Sequence, residues 1–163
     1  MSLEDVETTR LRFRPERITT LFVGESAPAG GDFFYYGTSG MTRYMRQAVE
    51  SAFGPSQDFL QTFKDYGWYL DDLSLTPVDK LGKAERISIC RASQASLTER
   101  ITTYKPLAIV TVLMRIQDIV DAAAIAAGSS ATRFTVPFPG MGQQGRFKTA
   151  MQEIIPSLPR LSS

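Results

Sequence analysis

Residues 21 to 37 read LFVGESAPAGGDFFYYG, and the fold of the whole chain turns on how this stretch is read. Leu21, Phe22 and Val23 form an apolar run that stops at Gly24; a carboxylate, a serine, a proline and two adjacent glycines follow. Four consecutive aromatics, Phe33, Phe34, Tyr35 and Tyr36, then lead past Gly37 into a helical pattern. An apolar run ending at a glycine, then a loop, then a helix is how an α/β sheet presents a site at the carboxyl end of a strand. The glycines let the backbone approach a ligand closely. Glu25 stands at the strand tip, and the aromatics exceed what a bland loop needs.

Upstream, residues 1–17 read as a polar N-terminal extension carrying Arg10, Arg12, Arg14 and Arg17: a solvated arm or, alternatively, one that contacts phosphates. Residues 18–163 read as a single domain whose first strand is Thr19 to Val23. Downstream, Met41, Tyr44, Met45, Ala48, Val49 and Ala52 fall at helical spacing within a helix from Thr38 to Phe53, stopped by Gly54-Pro55. A short helix is expected over Gln57 to Asp65 with Ser56 as its cap. GWYLDDLSL, from Gly67, reads as a second strand ending near Thr76-Pro77, although adjacent acids such as Asp71-Asp72 are unusual in a strand. Residues 79 to 95 show no clean period. A helix from Ser96 to Tyr104, with Glu99 and Arg100 on its outer face, breaks at Pro106. The β-branched run Leu107 to Leu113 suits a central strand covered on both faces. An Ala-rich helix from Ile116 to Ala127 closes at Gly128, and Arg133 to Val136 forms a fourth strand. The rigid loop Pro137-Phe138-Pro139-Gly140-Met141-Gly142 leads to a last helix from Arg146 to Ile155.

Strands alternating with helices predict an α/β fold, a three-layer α/β/α sandwich around a short, mainly parallel sheet. The loops after Val23, Leu75, Leu113 and Val136 then open on one edge and enclose one cleft. Composition narrows the chemistry. A net charge of +1 gives no global argument for nucleic acid, so any basic surface is local. One cysteine, Cys90, and no histidine exclude a disulfide framework, a four-cysteine metal or cluster site and any His-dependent triad. No metal or other cofactor is expected. No apolar run is long enough for a membrane span and the first residues are too charged for a signal peptide, so a cytoplasmic monomer without membrane contact is the expectation.

The chain resembles the uracil-DNA glycosylase superfamily in four motifs, taken in order. Gly24-Glu25-Ser26-Ala27-Pro28-Ala29-Gly30 after a strand is similar to its first motif, with one residue more before the Pro than in the thermophile-type branch. Phe33 to Gly37 resembles the segment bearing the aromatic that stacks on a flipped base. Glu99 to Leu113 resembles the helix and strand before the last βα unit, and Val136-Pro137-Phe138-Pro139 keeps the x-P-x-P skeleton of the second motif.

The resemblance implies a uracil-DNA glycosylase-like fold and a DNA base glycosylase-like activity: recognition of a modified base rotated out of the stack, then its hydrolytic excision. Carried over by position, Glu25 is the catalytic candidate that orients water. Tyr35, with Phe34, Ser26 and Pro28, falls among the base-binding residues, and Asp72 stands where the family places a base-reading Asn. Pro137, Phe138, Pro139, Gly140, Met141 and Arg146 are the candidate DNA contacts. Three departures redirect the specificity. Val136 replaces the His that polarises the base, the cluster cysteines are absent, and an ionised Asp accepts hydrogen bonds without donating them. Standard uracil excision is therefore not expected, and Asp72 would favour an amino-bearing base, with Asp71 the competing candidate because strand alternation turns only one of the pair to the cleft. The alternative is a non-catalytic domain of the same fold that binds a nucleotide or nucleic acid. The residues also admit plainer roles: Glu25 as the partner of an arginine, the aromatics as core, Cys90 as an inert buried thiol, and the GMGQQGR loop as a phosphate-binding helix start.

Overall fold

The structure is a computed structural model that describes residues 2–161. It is an α/β fold with a sheet of parallel strands in the order β2-β1-β3-β4: β1 Thr20–Gly24, β2 Trp68–Asp72, β3 Ala108–Thr111 and β4 Thr132–Thr135. Parallel strands need crossovers, and helices supply them. α2 (Gly40–Phe53) and α3 (Phe59–Asp65) join β1 to β2, α4 (Lys83–Ala92) and α5 (Gln94–Tyr104) join β2 to β3, and α6 (Gln117–Ala126) joins β3 to β4. α7 (Gln144–Ile154) follows β4, and α1 (Leu3–Arg12) precedes the sheet.

The register of β1 and β2 aligns Phe22 with Leu70 and Leu21 with Tyr69, so Phe22 and Tyr69 face opposite sides. Phe22 meets Phe63 of α3, while Tyr69 meets Tyr104 of α5. Helices therefore flank the sheet on both sides, which is compatible with a three-layer sandwich. β1 is buried up to Gly24 and β3 throughout, as the apolar run from Leu107 predicts for a central strand. Among the described residues no helix is long and apolar enough to cross a membrane.

Several boundaries and two assignments differ from the sequence reading. α2 begins at Gly40 because the Ser39 hydroxyl accepts from the Thr42 amide at 3.0 Å and caps it there. Asp58, not Ser56, caps α3; Ser56 instead gives its amide and hydroxyl to Glu50. The second strand stops at Asp72, short of Thr76-Pro77, although the Leu73 and Ser74 amides still donate to the Gly24 and Glu25 carbonyls. The unperiodic stretch 79–95 contains α4, a helix with only Cys90 fully buried, which is why no apolar stripe announces it. The leading segment is not an arm. α1 is a helix with a Ser2–Asp5 capping box, it packs Val6 into the core, and its Arg10 is only 2% exposed.

The other end of the described chain is fixed as firmly. The Pro159 carbonyl accepts from the Thr20 hydroxyl and the Trp68 indole, both at 2.9 Å, and the Leu161 amide donates to the Tyr66 carbonyl. Arg160 lies over the Phe53 ring at 3.9 Å. This clasp closes the amino edge of β1 and β2, opposite the edge where the site lies.

Candidate functional site

Because all strands run in parallel, the loops after β1, β2, β3 and β4 emerge on one edge, so Glu25 and Pro139 share it as expected. The order β2-β1-β3 places a switch point between β1 and β3: the chain leaves β1 toward one side and β3 toward the other, which is where open α/β sheets place ligands. Glu25 follows β1 and Arg115 follows β3 at that crevice.

The crevice is filled by charge. Arg86 of α4 donates from Nε to Glu25 Oε1 at 2.9 Å and makes a second, shorter contact from Nη2. Arg115 donates from Nη2 to Oε1 at 2.8 Å and to Oε2 at 2.9 Å. The Cys90 thiol lies 3.8 Å from Oε2. Burial pushes the Glu25 carboxyl up, but the hydrogen bonds from Arg86 and Arg115 outweigh it and hold the group below its ordinary value. Burial and the neighbouring carboxylate push the Cys90 thiol up, so it stays protonated and unreactive at neutral pH. Glu25 is thus an ionised carboxylate clasped by two guanidiniums, one of which, Arg115, is half-exposed. Ser26 accepts from the Val78 amide at 3.2 Å, and the Ala29 amide donates to Asp79, so the loop containing Pro28 docks on the loop after β2.

Tyr35 and Phe34 are in the core. Tyr35 is 3% exposed, stacks on Phe13 at 5.3 Å, and both accepts from the Leu70 amide at 2.6 Å and donates to the Leu70 carbonyl at 2.9 Å. Phe34 packs on Phe63. The aromatic left exposed in this run is Tyr36, held edge-on to Phe33.

Asp71 and Asp72 are both buried, facing arginines instead of an open cleft. Arg10 donates from Nη1 to Asp72 Oδ2 at 3.0 Å and lies 3.6 Å from Asp71 Oδ1. Arg100, expected on an outer face, turns inward: it donates to Asp71 Oδ2 at 3.0 Å and to the carbonyls of Asp72 and Leu73. The Tyr104 hydroxyl also reaches Asp71, and burial beside that carboxylate pushes it up to about 12. Burial raises the Asp72 carboxyl, and Arg10 only partly reverses this with Asp71 adjacent. Burial alone would lower the Arg10 guanidinium, yet Asp72, Asp71 and Glu7 more than reverse it, so its proton is held more tightly than usual. The two acids and two arginines form a buried lattice, which Glu7, 3.3 Å from Arg10, extends toward the surface. Gly24 is part of it, because a Cβ there would lie 2.6 Å from Asp72 Oδ1.

The loop after β4 behaves differently. Val136 and Pro139 are buried, Phe138 is partly exposed, and Met141 is 99% exposed with φ at 53°, a left-handed conformation rare for a residue with a side chain. A Cβ on Gly140 would meet the Phe138 ring at 2.9 Å, so a side chain there would require that exposed ring to turn away. Arg146 is exposed in the first turns of α7. The residues that sequence reasoning missed are Arg86, hidden in the unperiodic stretch, and Tyr36, masked by three more apolar neighbours. No protein-family model matches the chain, and no curated protein matches it.

Proposed function

We propose that this chain is a nucleic-acid-binding domain of uracil-DNA glycosylase-like architecture, with DNA or a nucleotide approaching the carboxyl edge of the sheet. The observation that carries the reading is what this one edge holds: Arg86 and Arg115 around the single carboxylate of Glu25, one positive charge in excess, and the exposed side chains of Phe138 and Met141 followed by Arg146. Cations that neutralise phosphate, together with an apolar tip that can enter between bases, suit a single strand or a distorted duplex. With Tyr35 and Phe34 engaged in the core, stacking falls to Tyr36 and Phe138. The test is fluorescence anisotropy of labelled single-stranded and mismatched oligonucleotides over a range of salt. Binding should weaken steeply with salt, and Arg146→Ala should reduce the log–log slope by roughly 0.7, one single-strand phosphate contact. Undetectable binding at low salt would sink the reading.

Hydrolytic excision of a modified base is the second reading, favoured by one observation: Glu25 stands just past the tip of β1 at the switch point, its carboxylate held by Arg86 and Arg115. In that chemistry a water adds to the sugar C1′ as the N-glycosidic bond breaks. The base leaves with the bonding pair and takes up a proton, and a carboxylate stabilises the cationic sugar between these events. Arg115, half-exposed, is the group that would release Glu25. A panel of damaged and mismatched oligonucleotides, with Glu25→Gln as control, tests it. Product lost in Glu25→Gln supports excision, and no product across the panel leaves binding alone.

A further inference from the structure

We propose that two copies of this chain join edge to edge through β4, continuing the sheet across a two-fold axis. The inference is independent of the nucleic-acid reading and starts from an asymmetry between the two outer strands. On β2 the outward amide of Leu70 ends on the Tyr35 hydroxyl, which returns a hydrogen bond to the Leu70 carbonyl; the outward amide of Asp72 ends on the Asp71 carboxylate at 2.8 Å. That edge is shut to any further strand. On β4 the amides of Thr132 and Val136 point inward, to the carbonyls of Leu107 at 3.1 Å and Thr111 at 2.8 Å. By alternation the amides of Arg133 and Thr135 point away from the sheet, and they meet no protein acceptor among the described residues.

A charged side chain is a common guard on such an edge. Here the charge of Arg133 is already taken by Asp121 of α6, at 3.2 Å. An open cleft of about 670 Å³ runs beside the strand, with Met114, Gln117, Asp121, Arg133 and Thr135 among its lining. Asp121 and Ile125, four apart on α6, share a helix face, and Ile125 is 66% exposed; Met114, in the 3-10 turn that precedes α6, is also mostly uncovered. Two exposed apolar side chains beside an unpaired strand are half of an interface.

Charge complementarity makes a second copy the occupant. A two-fold axis at Phe134 sets Arg133 opposite Thr135 of the partner subunit, and Thr135 opposite the partner subunit's Arg133. Each such pair exchanges amide and carbonyl hydrogen bonds. The two Arg133–Asp121 pairs then lie alongside each other across the seam as an alternating and neutral set, so the joined edges bring no unpaired charge together. Phe134 meets its equivalent at the close, non-hydrogen-bonded position, where aromatic pairs stabilise antiparallel strands. Met114 and Ile125 of the two copies lie on the same face of the joined sheet. The carboxyl edges of the two copies point in opposite directions, so neither site is covered.

Sedimentation equilibrium of the full chain over rising concentration tests the proposal, with amide exchange as a second readout. The expected result is the mass of two chains, with slowed exchange at Arg133 and Thr135 as the dimer forms. Thr135→Pro keeps the inward ladder intact, because its amide points outward, and blocks the pairing on both copies. It should weaken association about thirtyfold, the loss of one hydrogen bond per copy. Ile125→Glu should weaken it through the apolar side chains. A single-chain mass up to the highest soluble concentration would overturn the proposal. So would a dimer unchanged by both variants, since its interface would then lie elsewhere.

Discussion

At Tyr35 a single hydroxyl serves both polar groups that Leu70 turns out of the sheet. Tyr35→Phe keeps the ring and its stack on Phe13 but leaves a buried N–H and C=O unpaired, so urea unfolding should show a loss of about 1–3 kcal/mol. An aromatic reserved for stacking on a base would tolerate this change without loss of stability. Gly24 makes a second sharp demand. Gly24→Ala forces a Cβ against Asp72 Oδ1 and should cost about 1–3 kcal/mol as the carboxylate is pushed off Arg10. Glu25 imposes a pH dependence. Its carboxyl is held below the ordinary value in the folded state, so its contribution is fully present above the unfolded pKa, near 4.5, and is lost as pH falls through the folded one. The stability difference between wild type and Glu25→Gln should therefore be largest at neutral pH and shrink below about pH 4. A difference that stays constant down to pH 3 would mean that Arg86 and Arg115 do not hold this group.

At the scale of elements, α1 illustrates how a charge pattern misleads. Four arginines in a polar lead suggest a solvated face, yet Arg10 is buried on Asp72 because β2 ends with two acids that need a cation. The sequence announced the need, in the form of adjacent acids inside a strand, but not the partner, which lies 62 residues away. Arg10→Ala leaves both carboxylates buried with one guanidinium between them and should destabilise the fold by about 3–5 kcal/mol, measured by chemical denaturation. Arg100→Ala should be milder, since Arg100 sits nearer the surface and water can replace it. The strands β1 and β3 were legible because continuous apolar runs have one physical use in a parallel sheet. α4 was not, because it buries so little that no period forms. The same logic divides the site. Glu25 and the Phe138–Met141 tip stand where strand ends and glycines put them, while the burial of Tyr35, Phe34 and Asp72 depends on contacts from α1, α3 and β2 that no local pattern encodes.

On the scale of the whole molecule, the parallel order β2-β1-β3-β4 alone brings four loops to one edge, and that much followed from alternating strands and helices. What fills the crevice there followed from long-range ion pairs, Glu25 with Arg86 and with Arg115, at separations of 61 and 90 residues. The opposite edge is held by the Pro159 clasp, whose bonds to Thr20 and Trp68 span 139 and 91 residues. A contact that joins such distant parts of the chain forms only after the sheet has assembled, so it belongs to the late side of the folding barrier. Its consequence is kinetic. Thr20→Val, which removes a hydroxyl donor to Pro159 at nearly constant volume and about 1 kcal/mol, should leave the refolding rate nearly unchanged and speed unfolding about fivefold, read from the two arms of a chevron plot. The clasp then acts as a latch on the lifetime of the native state rather than as a guide to reaching it, and a slowed refolding arm in that variant would show the opposite.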